Sequence, residues 1–111
     1  MINVEKRDKV DIVSFTVIKI NALITDEIRE EINRLSGTSN SKIIINLKGV
    51  EYIDSSGFSC LLSIMRSVRN NYGIIKFVNP EPGVLELLNM LHLDTVFHIF
   101  NDLDECLISF R

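Results

Sequence analysis

The stretch Val50-Glu51-Tyr52-Ile53-Asp54-Ser55-Ser56-Gly57-Phe58 places an acidic residue, two serines and a glycine between an apolar strand end and the start of an apolar-periodic segment. That order predicts a strand-to-helix turn. Side-chain oxygens gathered at a helix N-terminus lie where backbone N–H groups lack partners and where negative charge is favoured. Such a turn can carry a phosphate.

Working outward, Phe58, Leu61, Leu62, Met65 and Val68 fall on one broad face of a helix. Ser59, Ser63, Arg66 and Asn70 fall on another and are expected to face outward, and Gly73 is expected to end the helix. Upstream, Lys42 to Leu47 is a nearly continuous β-branched run, the pattern of a central strand covered on both faces. Ile2 to Arg7 alternates apolar and polar residues, Asp8-Lys9 can turn, and Val10 to Ile20 continues at period two, which predicts a β-hairpin. Thr25 stands where a helix cap belongs, before Asp26 and Glu27 and the face Ile28, Ile32 and Leu35; Gly37 suits the end of that helix.

Downstream, Ile74 to Val78 predicts a strand, and Asn79-Pro80-Glu81-Pro82-Gly83 breaks regular structure. Pro82 fits the first turn of a helix carrying Val84, Leu87, Leu88 and Leu91 inward. Val96 to Phe100 predicts a short strand, and Asp102 with Glu105 has capping-box spacing ahead of the face Leu103, Leu107 and Phe110. The order β-β-α-β-α-β-α-β-α defines an α/β domain over residues 1–111, with a mixed, largely parallel sheet joined by right-handed crossovers.

Composition narrows the function. The chain has 111 residues, 46% of them hydrophobic, so one domain with a substantial core is expected. A net charge of −3 with scattered Lys and Arg gives no footprint for nucleic acid. No apolar run is long enough to cross a bilayer and the N-terminus lacks a signal-peptide core, which predicts a cytoplasmic protein without membrane insertion. Cys60 and Cys106 lack metal-ligand spacing and are expected to be free and buried; His92 and His98 form no metal cluster. No metal and no cofactor of its own is expected.

Three readings of Asp54-Ser55-Ser56-Gly57 compete. A hydrolase nucleophile elbow requires glycine two residues before and after the serine, but Ser56 stands between Asp54 and Phe58, and Ser55 between Ile53 and Gly57. An enzyme is therefore the weakest reading. Helix capping uses one such side chain, and here Asp54, Ser55 and Ser56 crowd one turn. The third reading is a regulated serine.

The stretch from Ile44 to Gly57, with Asp54-Ser55-Ser56-Gly57 at its end, and the later segment Leu87 to Phe97 resemble the STAS domain family, specifically the bacterial anti-sigma factor antagonists. The resemblance implies a partner switch without enzymatic activity of its own. In similar proteins the unphosphorylated domain binds a kinase-type anti-sigma factor, which releases its sigma factor; that kinase, carrying the ATP and Mg²⁺, phosphorylates the second serine of the motif. By position that serine is Ser56, and a PP2C-type phosphatase resets the switch. Partner contacts are then expected from Asp54, Ser55, Ser56 and Gly57, and helical periodicity adds Ser59, Ser63 and Arg66. The family also includes non-switching scaffolds and transport-associated modules, which are the alternative. Three positions depart from the family pattern: Asn46 replaces a frequent aspartate, Ser59 a common glycine, and His92 a frequent glycine, the last arguing for a local backbone difference.

Overall fold

Ile43, Ile44 and Ile45 are completely buried, because a strand with no polar face is stable only between two covering layers. The computed structural model describes residues 1–35 and 39–111; the expected helix end at Gly37 lies outside them. Its strands are β1 (Ile2–Arg7), β2 (Val10–Phe15), β3 (Lys19–Ile20), β4 (Lys42–Asn46), β5 (Tyr52–Ile53), β6 (Ile74–Val78) and β7 (Ile99–Phe100). Its helices are α1 (Thr25–Leu35), α2 (Ser55–Asn70), α3 (Pro82–Met90) and α4 (Leu103–Ile108), with a 3-10 turn at Leu93–Thr95.

The main sheet has the order β1-β2-β4-β6-β7, with β1 antiparallel to β2 and the other neighbours parallel. Helices α1, α2 and α3 make the crossovers between successive parallel strands. Their residues Ile28, Ile32, Leu61, Met65, Val84 and Leu88 share one core with Val13, Ile43, Ile45 and Phe77 of the sheet. On the opposite face Val10, Ile12, Ile44 and Val78 pack with Cys106 and Leu107 of α4. Successive strand residues point to opposite faces, so Ile43 and Ile45 serve one layer and Ile44 the other. The α/β class, the hairpin and the largely parallel sheet are as the residue pattern predicts.

The α4 layer also buries a cation. Lys76, on β6, donates to Ser109 Oγ at 2.7 Å, and its ammonium lies 4.6 Å from the ring centre of Phe110. A buried ammonium needs such partners, and these tie the C-terminal segment to the sheet.

Several boundaries differ from the expectation. The strand drawn from Val10 to Ile20 is two: β2 stops at Phe15, and Lys19–Ile20 pairs with Tyr52–Ile53 as a separate parallel ribbon. β-branched residues run on through the bend, so period two alone does not reveal it. The strand expected over Val96–Phe100 is confined to Ile99–Phe100, because the chain first tightens into the 3-10 turn and then stacks Phe97 on Phe77 at 4.4 Å between ring centres.

Thr25 does not cap α1. It is nearly buried within the first turn and its hydroxyl points back to Ala22 O at 3.4 Å, while Ile24 O accepts the first helical bond from Ile28 N. Asp102 does cap α4, accepting from Asp104 N at 3.1 Å. Leu91, expected inward, is 54% exposed, since the helix closes at Met90 before the periodic face reaches it. The end of α2 also departs from a simple glycine stop. Tyr72 takes the left-handed conformation (φ 61°), and Gly73 follows it.

Candidate functional site

The short ribbon positions the start of α2. Ile18 O accepts from Glu51 N at 2.8 Å and from Tyr52 N at 3.2 Å, and Ile20 O accepts from Asp54 N at 3.1 Å. Asp54 is thereby held extended as the N-cap, with φ −86° and ψ −178°. Its Oδ1 accepts from Gly57 N at 2.8 Å, and its carbonyl accepts from Phe58 N at 3.0 Å. One carboxylate thus meets the capping requirement.

Gly57 is buried, and a Cβ added there would lie 2.5 Å from Ile53 Cγ2 and 2.7 Å from Ile20 O. The glycine lets the first turn of α2 touch the β3–β5 ribbon. It shapes the turn from beneath.

Ser55 is exposed and Ser56 half-buried in that first turn. Among the described residues, neither hydroxyl nor either backbone N–H has a hydrogen-bond partner. Two hydroxyls and two N–H groups therefore remain uncommitted at the positive end of a 16-residue helix. That arrangement can accept phosphate without breaking an existing bond.

Ser59 and Arg66 are exposed and Ser63 is half-buried along the same helix. From Asp54 to Arg66 the stripe spans about 18 Å at the helical rise per residue. Arg66 makes no ion pair among the described residues. Sequence reasoning missed a second component. Ile18, Leu23 and Tyr52 are 57%, 91% and 49% exposed, and all three sit on or beside the ribbon that holds Asp54. Leu23, an apolar residue in the turn between Asn21 and Thr25, was the available signal. Solvent-facing apolar side chains beside an uncommitted polar turn suit protein contact.

The departures from the family pattern resolve locally. Asn46 Oδ1 accepts from Lys48 N at 3.1 Å and starts the turn that leaves β4. A carboxylate would accept the same bond, so the amide preserves the backbone path. His92 adopts φ 58°, the left-handed conformation glycine favours, after α3 ends. Ser59 points to solvent and needs no local adjustment.

Neither serine is hydrogen-bonded to an imidazole; the His98 ring instead lies 4.8 Å from that of Phe100. Among the described residues there is no group of three His, Cys, Asp or Glu side chains placed to hold a metal ion, and no helix is long and apolar enough to cross a membrane. Both cysteines are free and buried. Burial pushes the Cys60 thiol up and the Cys106 thiol to about 11, so both stay protonated at neutral pH. Cys60 Sγ donates to Thr25 O at 3.4 Å, joining α2 to α1.

The family model for the STAS domain matches residues 1–106. The chain belongs to the STAS domain family. A Thermotoga maritima protein assigned as an anti-sigma factor antagonist is 28% identical over 71 residues, which is 64% of this chain and 63% of that relative. The chain therefore matches somewhat less than two thirds of the relative's length. Among solved structures, a STAS-domain anti-sigma-factor antagonist protein from Planctomyces limnophilus superposes with a TM-score of 0.85 at 21% identity, covering 97% of this chain and 96% of that one. The Bacillus cell-fate determinant SpoIIAA in its phosphorylated form superposes with a TM-score of 0.70 at 19% identity, covering 100% of both chains. At those identities the likeness is one of fold. It places the Asp54–Gly57 turn in a STAS framework.

Proposed function

We propose that this STAS domain is an anti-sigma factor antagonist: unphosphorylated, it binds a kinase-type anti-sigma factor through the start of α2, and phosphorylation of Ser56 abolishes the complex. The observation that carries the reading is the uncommitted hydroxyl of Ser56 beside the capping carboxylate of Asp54. Capping uses Asp54 alone, so the serines are free for another task. The exposed Ser55, Ser59 and Arg66 extend the contact along α2, and Ile18, Leu23 and Tyr52 supply apolar area beside it. The kinase brings ATP and Mg²⁺, and a PP2C-type phosphatase restores the binding form. The sigma factor is released when this domain occupies its inhibitor.

The electrostatics favour a switch of partner without a switch of fold. Phosphate adds roughly 1.5 to 2 negative charges. At the α2 N-terminus the helix dipole and the free N–H groups of Ser55 and Ser56 offset that charge within the domain. In a closed interface the same phosphate, next to Asp54, has to be desolvated beside a like charge, which costs several kcal/mol. Each 1.4 kcal/mol is about a tenfold loss, so phosphorylation should weaken the complex at least 100-fold.

The test incubates the domain with the kinase-type anti-sigma factor and ATP, maps the modified residue, and measures binding by calorimetry. Modification at Ser56 with loss of binding and an unchanged far-ultraviolet spectrum supports the switch. A Ser56→Ala chain should stay bound in the presence of ATP. Equal affinity of the phosphorylated and unmodified chains sinks the proposal.

A further inference from the structure

The main sheet has two edges, and they are finished differently. β7 is two residues long and leads directly toward α4. β1 runs for six residues, and every residue from Asn3 to Arg7 is exposed. A long open edge is a template for another strand, and proteins usually blunt it with proline, a bulge or unpaired charge. β1 holds no proline, and its register with β2 is continuous from Ile2 opposite Phe15 to Arg7 opposite Val10, without a bulge.

Its charges are already matched within the hairpin. Lys6 Nζ lies 3.7 Å from Asp11 Oδ1, and Arg7 Nη2 donates to Glu5 Oε1 at 2.8 Å. These four side chains cancel, so β1 presents no surplus of either sign that would repel a second strand.

The ladder fixes which peptide groups are free. Met1 O accepts from Thr16 N at 2.8 Å and from Thr16 Oγ1 at 3.1 Å, so Met1 and Thr16 form a hydrogen-bonded pair. Hydrogen-bonded and open pairs alternate along an antiparallel ladder. Asn3, Glu5 and Arg7 accordingly turn their peptide groups toward β2, and Ile2, Val4 and Lys6 turn theirs outward. Among the described residues, nothing meets the outward N–H and C=O groups of these three. The Asp8-Lys9 turn, with φ 54° and 68°, has the twist that suits a two-residue hairpin and holds the strand in this register.

We infer that β1 pairs antiparallel with β1 of a second copy about a two-fold axis at Val4, joining the two sheets into one. That register makes three hydrogen-bonded pairs of two bonds each: Val4 with the partner's Val4, and Ile2 with the partner's Lys6 in both directions. It sets against each other two valines that are 45% exposed in the single chain. Ile2 meets the aliphatic stem of the partner's Lys6, and Asn3 stands opposite the partner's Glu5. Moving the axis to Glu5 puts two glutamates directly opposite each other, and moving it to Asn3 leaves Lys6 unpaired. The edge is thus complementary to itself in one register, which is what selects a second copy as its occupant. The contact is small, so the dimer is weak and depends on concentration. No residue of α2 belongs to the edge, so the test neither uses nor depends on the Ser56 switch.

The experiment follows the full chain by sedimentation over about a hundredfold range of concentration, with amide hydrogen exchange measured at both ends of the range. A monomer–dimer equilibrium is expected. Exchange at Ile2, Val4 and Lys6 should slow as concentration rises, while Asn3, Glu5 and Arg7 are protected throughout. Val4→Lys sets like charges opposite each other across the axis and should weaken dimerisation about tenfold or more. Met90→Lys changes an exposed apolar residue at the end of α3 and should leave dimerisation as it is. The exchange pattern is read on the unaltered chain, so it decides the matter even where Val4→Lys folds poorly. The proposal is overturned if the chain stays monomeric up to millimolar concentration, if the dimer leaves the Ile2, Val4 and Lys6 amides in fast exchange, or if the two lysine variants weaken it equally.

Discussion

The two ends of α2 each hold a glycine where no Cβ fits, yet their polar groups are used differently. At the start, a Cβ on Gly57 would lie 2.7 Å from Ile20 O; at the end, one on Gly73 would lie 2.8 Å from Ser41 O. Both glycines allow close packing. At the C-terminal end Tyr72 N bonds Arg69 O at 3.0 Å and Gly73 N bonds Val68 O at 2.9 Å, the paired closure of a helix end. At the N-terminal end Asp54 satisfies Gly57 N, while the hydroxyls and N–H groups of Ser55 and Ser56 keep their capacity. A helix end that only has to stop consumes its donors and acceptors. The proposed site draws on the surplus at the other end.

The largest effect on that comparison should come from Gly57→Ala. The added methyl meets both a backbone carbonyl and the branched methyl of Ile53, so either the ribbon or the first turn has to move. Overpacking of this kind costs about 1–3 kcal/mol, and alanine recovers up to ~1 kcal/mol in helix propensity. The net expectation is a loss of about 1–2 kcal/mol, read from the urea midpoint, together with weakened partner binding because Asp54 and Ser56 shift. A neutral or stabilised variant would show that the ribbon does not constrain the turn.

Asp54→Ala is expected next, at about 1 kcal/mol, the usual cost of losing an N-cap oxygen. Asp54→Asn keeps an acceptor for Gly57 N and should recover most of it. The pair separates capping from charge. If Asp54→Asn restores stability yet changes how strongly Ser56 phosphorylation weakens the complex, the carboxylate contributes repulsion as well as a cap. Should both variants be as stable as the unaltered chain, the Asp54 to Gly57 bond carries no weight.

Much of this was legible in the residues, and the exceptions have physical causes. The Ile43-Ile44-Ile45 run and the apolar face of α2 depend on burial alone, and burial is what hydrophobic periodicity encodes. The Asp54-Ser55-Ser56-Gly57 turn was recognisable because capping chemistry is local. The break between β2 and β3 was hidden because Val17 and Ile18 are as β-prone as their neighbours, and only pairing with β5 shows that Lys19–Ile20 belongs to another ribbon. Exposed apolar contacts at Ile18, Leu23 and Tyr52 depend on that ribbon and were hidden with it. His92 and Tyr72 share one lesson. Each occupies a left-handed position that statistics assign to glycine, and a tertiary frame imposes the conformation on a residue that would not choose it.

Tyr72 offers the smallest and most selective test of the contrast. Tyr72 is 82% exposed, so removing its side chain gives up little packing. Glycine at that position avoids the roughly 1–2 kcal/mol that an L-residue incurs in left-handed backbone, but it loses ~0.5–1 kcal/mol through greater freedom in the unfolded chain. Tyr72→Gly should therefore stabilise the domain by about 0.5–1 kcal/mol, seen as a higher urea midpoint at unchanged slope. Partner binding and phosphorylation at Ser56 should not change, since the closure at this end has no surplus polar group to contribute. Destabilisation, or an altered response at the far end of α2, would mean that the two ends are coupled and that the division between a structural end and a functional one is too sharp.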